Sequence, residues 1–452
     1  MGKRIIICCD GTWNSPGSLR DTSITNVIKV LRSIEPRDEA TNSEQIAYYH
    51  RGLGTGTGKA RKFLEGATGQ GISRNIEDCY RFLANNYIDG DLVYMFGFSR
   101  GAYTARSLCG LLSCIGLLNK DQLDLFPRAY KHYRTPIEKR KDGYWVSELN
   151  LKRPNIHFLG VWDTVGALGA PTPILGAITR KLWVGFHNAT ISDEISYAYQ
   201  ACAIDEKRKT FAPAMWTKQG NQQDVKQVWF AGVHSDVGGG YPEDMGLSDE
   251  ALMWLVNRAK ACGLAFNESY LNDVKKIQPN ATGKLHNSFS LPYKLMQAFK
   301  PFHRPMGRAD YKGEMLDESV LARLSDSSTK YQPANLMTGK IYSTDLIKHE
   351  QGREVFCNGA ITLPICRERQ PLRIMSCDES AQFRAESGAP IQGKLTDYTD
   401  AGGCKLQISQ SASTLSSGCE GQFYSKTTGH KKAIVAWCAG SNIGLQFIEE
   451  AA

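Results

Sequence analysis

The 452-residue sequence predicts an α/β fold with a mostly parallel sheet flanked by helices. Three observations support this fold class. Short apolar runs alternate along the chain with segments of helical spacing, which is the pattern of repeated strand–helix units. The runs are nearly unbroken, as expected for parallel strands covered on both faces. Several runs end at a turn that carries glycine and polar side chains, which favours a site at one edge of the sheet.

The position of each element follows from this periodicity. Strands are expected at 5–9, 45–50, 92–96, 155–161 and 225–233. Helices are expected at 25–34, 72–87, 102–112, 191–204 and 248–261.

Changes in composition predict two regions. Residues 1–370 are expected to form the α/β domain, with insertions. Residues 371–452, where Gly and Ser clusters separate short β-like runs, are expected to form a small β-rich appendage whose role the sequence does not indicate.

Two insertions, at about 170–188 and 285–306, combine apolar and aromatic residues with Lys and Arg. We interpret them as lid-like segments suited to a lipid interface. In the second, the basic residues include Lys294, Lys300 and Arg304. The alternative for both insertions is ordinary core or dimer packing, since an apolar helical stripe is most often core.

The segment Gly97-Phe-Ser99-Arg-Gly101 lies between a predicted strand and a predicted helix. This is the context of the nucleophile elbow of α/β-hydrolases, in which a strained turn exposes the serine hydroxyl at a helix N-terminus. Residues 1–370 are therefore expected to form an α/β-hydrolase-like domain. Gly is needed at both flanking positions because a side chain there would collide with the neighbouring strand or helix. The alternative is a glycine-rich turn whose serine only caps the helix.

Two further residues complete a catalytic order. Asp163 follows the next clear strand, and His234 follows the one after it. Ser99 is then the predicted nucleophile, His234 the general base and Asp163 the acid that orients the imidazole. Asp236 is the rival acid, and its expected role is to shape the glycine turn that follows it.

The oxyanion hole requires two N–H donors. One is expected from Arg100, the residue after the nucleophile, and the other from Gly11 or Thr12 in the loop after the first strand.

Phosphate-binding and phosphatase motifs are incomplete in this chain. Cys8 occupies the position of the phosphatase nucleophile, and Leu53 and Ala60 break the phosphate-loop pattern. The 13 cysteines show no metal-ligand spacing. Reduced thiols are the default expectation, and the sequence leaves open a disulfide among the cysteines from Cys357 to Cys438. We therefore expect no cofactor and no metal, and the net charge of +8 is interpreted as a solubility feature, with no nucleic acid partner.

No targeting segment is evident in the sequence. The first apolar run has about five residues, fewer than a signal peptide uses, and no run approaches the roughly 18 residues of a membrane span. We expect a protein that is cytoplasmic as synthesised.

Five sequence blocks resemble the α/β-hydrolase family that includes the first class of type VI secretion phospholipase effectors. The blocks begin at Ile7, His50, Gly97, Gly160 and Gly232, and the resemblance covers about residues 4–324. It implies phospholipase A-type ester hydrolysis with the same Ser99, Asp163 and His234. It also implies delivery by type VI secretion to a target-cell periplasm, with the secretion machinery, an immunity protein and a lipid membrane as partners.

The predicted function is therefore a serine ester hydrolase acting on glycerophospholipids. Two alternatives stay open: an esterase on a non-lipid substrate, and a catalytically degenerate hydrolase used as a binding module.

Overall fold

The computed structural model describes most of the chain. The described residues are 2–11, 24–52, 69–136, 139–140, 149, 151–166, 191–192, 194–217, 223–308, 310–336, 347–350, 353–358, 361–366, 375–385, 391–399, 403–408, 420–425, 429–439 and 442–447. The chain divides into two compact units, Met1–Arg367 and Glu368–Ala452.

The first unit is built on an eleven-stranded sheet. Its strands are β1 Arg4–Cys9, β2 Arg37–Asp38, β3 Ser43–His50, β4 Leu92–Phe98, β5 Asn155–Trp162, β6 Ile195–Ala203, β7 Asp224–Phe230, β8 Glu314–Asp317, β9 Ile347–Glu350, β10 Arg353–Asn358 and β11 Ile361–Cys366. The spatial order is β2-β3-β1-β4-β5-β6-β7-β8-β11-β10-β9. Pairing is parallel from β3 through to β11, and antiparallel strands close both edges.

Helices cover both faces of this sheet. They are α1 Asn26–Ser33, α2 Gly69–Asn86, α3 Arg100–Ile115, α4 Phe126–Tyr133, α5 His234–Gly238, α6 Gly246–Ala261, α7 Glu268–Leu271, α8 Leu291–Met296 and α9 Glu318–Ser325. Strand β1 shows how the layers form, since its successive side chains point to opposite faces. Ile5 and Ile7 pack in a cluster with residues of α2 and α3, whereas Ile6 and Cys8 pack with residues of α1 and α6. Both faces are buried, as the unbroken apolar runs predict.

One predicted helix is wrong. Residues 191–204 were expected to be helical, but Ile195–Ala203 forms β6, which pairs in parallel with β5 and β7 at the centre of the sheet. Ile191, Ile195 and Ala198 mimic helical spacing. In a strand buried on both faces, however, apolar residues lie on both faces and need not alternate with polar ones, so periodicity alone cannot separate such a strand from a buried helix.

The second unit is a closed six-stranded antiparallel barrel. Its strands are β12 Met375–Ala385, β13 Ile391–Thr399, β14 Gly403–Ile408, β15 Glu420–Ser425, β16 Gly429–Ala439 and β17 Asn442–Phe447. Phe383, Leu406 and Phe423 are among its fully buried side chains. The predicted fold, a mostly parallel α/β-hydrolase-like sheet followed by a small β-rich appendage, is confirmed.

The two lid-like insertions differ in what the structure reveals. The first, 170–188, lies outside the described residues. The second, the 285–306 segment, contains α8 and is described throughout. Among the described residues, none of the helices combines the length and the apolar character that a membrane span requires.

Candidate active site

Ser99 occupies a strained turn between β4 and α3. Its φ is +58° and its ψ −120°, a conformation that residues other than glycine rarely adopt. The two flanking glycines are sterically required. A Cβ on Gly97 would lie 2.6 Å from Cα of Ala102, and one on Gly101 would lie 2.1 Å from the carbonyl oxygen of Cys9. The close approach of strand, turn and helix therefore depends on both glycines, as the motif predicts.

The structure brings Ser99, His234 and Asp163 together. Nε2 of His234 lies 2.8 Å from Oγ of Ser99, and Nδ1 of His234 lies 2.5 Å from Oδ2 of Asp163. Ser99 directly follows β4, Asp163 directly follows β5, and His234 begins α5 just beyond β7. All three side chains thus meet at the carboxyl edge of the parallel sheet, the edge where open α/β sheets place their ligands.

Burial keeps the imidazole of His234 neutral. Burial lowers the pKa of His234 below its ordinary value, although the hydrogen bond and the negative charge of Asp163 act in the opposite direction. A neutral imidazole whose Nδ1 donates to Asp163 leaves Nε2 as the acceptor for the Ser99 hydroxyl. This is the arrangement that allows a serine to be deprotonated at neutral pH.

Asp163 is held by an arginine that the sequence analysis had assigned to a lipid-facing stretch. The guanidinium of Arg304 forms a two-point ion pair with Asp163, Nη1 to Oδ1 at 2.5 Å and Nη2 to Oδ2 at 2.9 Å. Both side chains are completely buried. Burial alone would raise the pKa of Asp163, but the Arg304 charge and the bond with His234 outweigh it and hold that pKa well below its usual range.

Arg304 is itself fixed by backbone carbonyls. Nη1 donates to the carbonyl of Ala203 at 2.8 Å and Nη2 to that of Phe211 at 2.6 Å. Interpreting Arg304 as an interfacial cation is therefore wrong for this residue, because a fully buried guanidinium cannot meet a lipid surface. No local signal in the sequence distinguishes it from Lys294 and Lys300.

Asp236, the rival acid, has other partners. Its Oδ1 lies 2.6 Å from Nδ1 of His286, and its Oδ2 accepts the N–H groups of Val233 and His286. Asp236 therefore braces the turn that carries His234 and ties it to the 285–306 segment. The structure places Asp163, and not Asp236, on the imidazole of His234.

The expected oxyanion donors, Arg100 and Gly11, belong to two segments that are in backbone contact. Arg100 is the first residue of α3, and the neighbouring Gly101 packs against the backbone of Cys9 and Asp10. The N–H of Gly11 donates to Oδ1 of Asp10 at 2.6 Å, so in this arrangement it is already engaged. Thr12 lies outside the described residues.

A set of side chains that the sequence analysis missed surrounds His234. The rings of Phe98 and Phe211 lie 4.7 Å and 5.0 Å from the imidazole. The carboxylate of Glu206 accepts the backbone N–H of His234 at 3.3 Å. It also forms a two-point ion pair with Arg208, with both distances 2.8 Å. Phe98 ends β4, whereas Glu206, Arg208 and Phe211 follow β6. Because β6 was interpreted as a helix, these last three residues were not expected at the carboxyl edge.

Comparison with known proteins assigns the family. Residues 3–258 match the model described as type VI secretion system phospholipase effector Tle1-like, catalytic domain. The match spans more than half of the chain and includes Ser99, Asp163 and His234. The chain belongs to this Tle1-like family.

Individual relatives are distant. An uncharacterized protein of Saccharomyces cerevisiae is 28% identical over 240 residues, which is 48% of this chain and 33% of that protein. A crystal structure of an uncharacterized protein from Pseudomonas aeruginosa is 18% identical with a TM-score of 0.38, covering 62% of this chain and 49% of that one. The Tle1 effector in complex with the VgrG spike of the type 6 secretion system is 19% identical with a TM-score of 0.31, covering 53% and 51%. The chain thus spans about a third to a half of the length of these proteins.

The Arg304 ion pair generates a stability prediction. Arg304→Met removes one partner of a buried pair and leaves the Asp163 charge uncompensated, which typically costs about 3–5 kcal/mol. We expect chemical denaturation at pH 7 to give a free energy of unfolding lower by that amount. Adding Asp163→Asn in the same chain should recover part of the loss, because the unpaired charge is then gone. A double variant as unstable as the sum of the two single ones would contradict the pairing.

The pH dependence has a definite sign. The pKa of Asp163 is lower in the folded than in the unfolded protein. Its stabilising contribution is therefore complete above the unfolded pKa of about 3.9 and is lost as the pH falls below that value. Asp163→Asn should flatten this part of the curve of stability against pH, whereas Asp124→Asn, at an exposed position outside the site, should not.

Proposed function

We propose that the protein is a serine ester hydrolase of phospholipase A type that cleaves acyl esters of glycerophospholipids. The observation that carries the proposal is the continuous hydrogen-bonded chain from Ser99 through His234 to Asp163, set on a strained elbow. Membership of the Tle1-like phospholipase effector family supports the substrate class.

The proposed mechanism uses the observed contacts in sequence. Ser99 Oγ attacks the acyl carbonyl while His234 Nε2 takes its proton, and the negative charge of Asp163 stabilises the imidazolium. The backbone N–H of Arg100, the first residue of α3, is the proposed donor to the oxyanion that develops. The engaged N–H of Gly11 would serve as the second donor only after leaving Asp10. His234 then protonates the departing glycerol oxygen. In the second half of the reaction His234 takes a proton from water, which attacks the acyl-enzyme, and returns that proton to Oγ of Ser99.

We further propose that the protein acts as a type VI secretion effector whose lipid substrate lies in a target cell. The support is family membership, together with the relative that is recorded in complex with the VgrG spike. By the same reasoning the secretion machinery and an immunity protein are the proposed protein partners.

The nucleophile is tested by substitution and by labelling. Ser99→Ala should reduce the kcat for p-nitrophenyl esters by about 10⁶, the loss typical of removing a triad nucleophile. A fluorophosphonate probe should label the wild-type chain at Ser99 and leave the variant unlabelled, since only an activated serine reacts. Absence of labelling in a folded wild-type chain would instead support the degenerate binding module.

The identity of the acid is tested by a matched pair. Asp163→Asn should lower kcat by about 10⁴, because the amide favours the wrong imidazole tautomer. Asp236→Asn should lower it less, because this carboxylate contacts His286 and the backbone and does not touch the His234 ring. Larger damage from Asp236→Asn, with both variants equally folded by circular dichroism, would reverse the assignment.

The 285–306 segment is the proposed membrane contact. Leu291, Leu295 and Phe299 are about 60% exposed on and beside α8, at 62%, 61% and 60%, with Lys294 and Lys300 among them. Apolar side chains with interspersed cations suit the boundary of an anionic bilayer.

Leu295→Glu is therefore expected to weaken binding to anionic vesicles and hydrolysis of long-chain phospholipid by at least about tenfold, while sparing a short soluble ester. Burying an apolar side chain of this size is worth about 1.5–3 kcal/mol, and a buried charge adds to the loss. Val274→Glu is the control, because Val274 is 70% exposed and lies outside the 285–306 segment. Equal loss in both variants, or equal loss on both substrates, would reject a membrane role for α8.

A further inference from the structure

A cavity of about 280 Å³ lies next to the candidate active site but contains none of its three reacting residues. Its walls come from the loop 204–207 after β6, from residues 302–303 and from the segment 329–335. Leu285 and Arg323 complete the lining. This volume is just below the usual range for small-molecule sites, which suits a compact ligand.

The innermost cation of the cavity is rigidly held. Arg323 is 5% exposed, and its Nη1 donates to the carbonyls of Ala281 and Gly283 at 2.9 Å and 2.7 Å. Its guanidinium also lies 5.2 Å from the centre of the Tyr331 ring. A guanidinium positioned in this way needs little reorganisation to receive an oxyanion.

The outer wall adds further positive charge. Lys207, His303 and Lys330 are exposed residues of the lining. Within the described part of the chain, neither these two lysines nor Arg323 has a carboxylate oxygen within 4 Å.

The two carboxylates of the lining are already engaged. Glu206 pairs at two points with Arg208, which is not part of the wall. Asp205 accepts the N–H of Gly232 at 2.7 Å and the hydroxyl of Tyr331 at 2.8 Å. The cations of the wall therefore outnumber its uncompensated anions, and the cavity favours a negatively charged occupant.

We propose that this cavity binds a phosphate monoester group, and that its occupancy modulates the hydrolase activity. Arginine and lysine are the side chains that recognise phosphate, the first through its planar fork and the second as a point charge. The buried Arg323 supplies the fork, and Lys207 and Lys330 supply the point charges.

The effect of an occupant on the active site follows from residues that contact both the cavity and the segment carrying His234. Glu206, a wall residue, accepts the backbone N–H of His234, and Asp205 accepts the N–H of Gly232 two residues earlier. His303 immediately precedes Arg304, the partner of Asp163. An occupant that shifts these walls shifts the backbone that positions the base and the acid, and this second part of the proposal rests on the proposed hydrolase function.

Binding is tested first, on the full chain, by titration calorimetry with inorganic phosphate and with sn-glycerol 3-phosphate. The Lys207→Gln/Lys330→Gln double variant should bind at least about tenfold more weakly, because two charge-assisted contacts are lost. Lys275→Gln/Lys276→Gln removes the same charge from exposed positions outside the cavity and should leave the affinity within about twofold. No saturable binding by the wild-type chain, or equal weakening in the two double variants, would overturn the site.

The source of the phosphate is resolved by vesicles. If a lipid headgroup is the ligand, vesicles containing phosphatidic acid should bind the wild-type chain more tightly than pure phosphatidylcholine vesicles. The Lys207→Gln/Lys330→Gln variant should lose this difference while Lys275→Gln/Lys276→Gln keeps it. If the soluble monoesters saturate the site and the vesicle difference is the same in both variants, the ligand is a free phosphate compound.

Coupling is tested with p-nitrophenyl butyrate. Saturating sn-glycerol 3-phosphate should change the wild-type kcat/KM by at least about twofold and leave that of Lys207→Gln/Lys330→Gln unchanged. Unchanged wild-type kinetics at saturation would overturn the modulation. The Ser99→Ala variant separates the two proposals, because it should retain phosphate binding whether or not the wild-type chain is a hydrolase.

Discussion

The buried carboxylate of Asp163 is the point on which the arrangement of the site depends. It lies at the end of β5 with no exposure, and a carboxylate in such a place is tolerated only when it is paired and hydrogen-bonded. His234 satisfies one oxygen, and Arg304 satisfies both. Because Arg304 belongs to the 285–306 segment, satisfying this single charge brings a late part of the chain over the carboxyl edge of the sheet. Two further contacts hold the same segment in place. His286 hydrogen-bonds to Asp236, and the hydroxyl of Ser288 donates to the carboxylate of Glu206.

The sheet provides the precision that these contacts need. Ser99 and Asp163 both have positive φ, and each sits on the residue that directly follows a central parallel strand. Strain of this kind persists only where the surroundings over-determine the backbone. Here the surroundings are the strand ladders on either side and two close backbone contacts of α3. Gly97 permits the contact of α3 with β4, and Gly101 permits its contact with the end of β1.

The parts of the site that could be predicted from the sequence are those with local signals. Ser99 was predictable because two glycines, a strand and a helix identify the elbow within about 20 residues. Asp163 and His234 were predictable because each follows an apolar run, and parallel strands share one carboxyl edge. Arg304 follows no predicted strand and lies among other basic residues. Its role depends on its contact with Asp163, 141 residues earlier in the chain, and no local pattern indicates that contact. Glu206 was missed for a different reason. A strand covered on both faces has no amphipathic period, so β6 was predicted as a helix. The loop that follows β6, which contains Glu206, was therefore not expected at the carboxyl edge of the sheet.

The strand order also bears on where a self-sufficient piece of this chain could end. The family match stops at residue 258 and contains Ser99, Asp163 and His234. A fragment cut there would keep Ser99, Asp163 and His234, but it would lack Arg304 and the strand β8 that pairs with β7. In such a fragment one edge of β7 would have no partner strand. The buried carboxylate of Asp163, next to the imidazole of His234, would also lack the compensating charge of Arg304. The boundary of the family match is thus narrower than the part of the chain that satisfies the buried carboxylate of Asp163 and pairs both edges of β7.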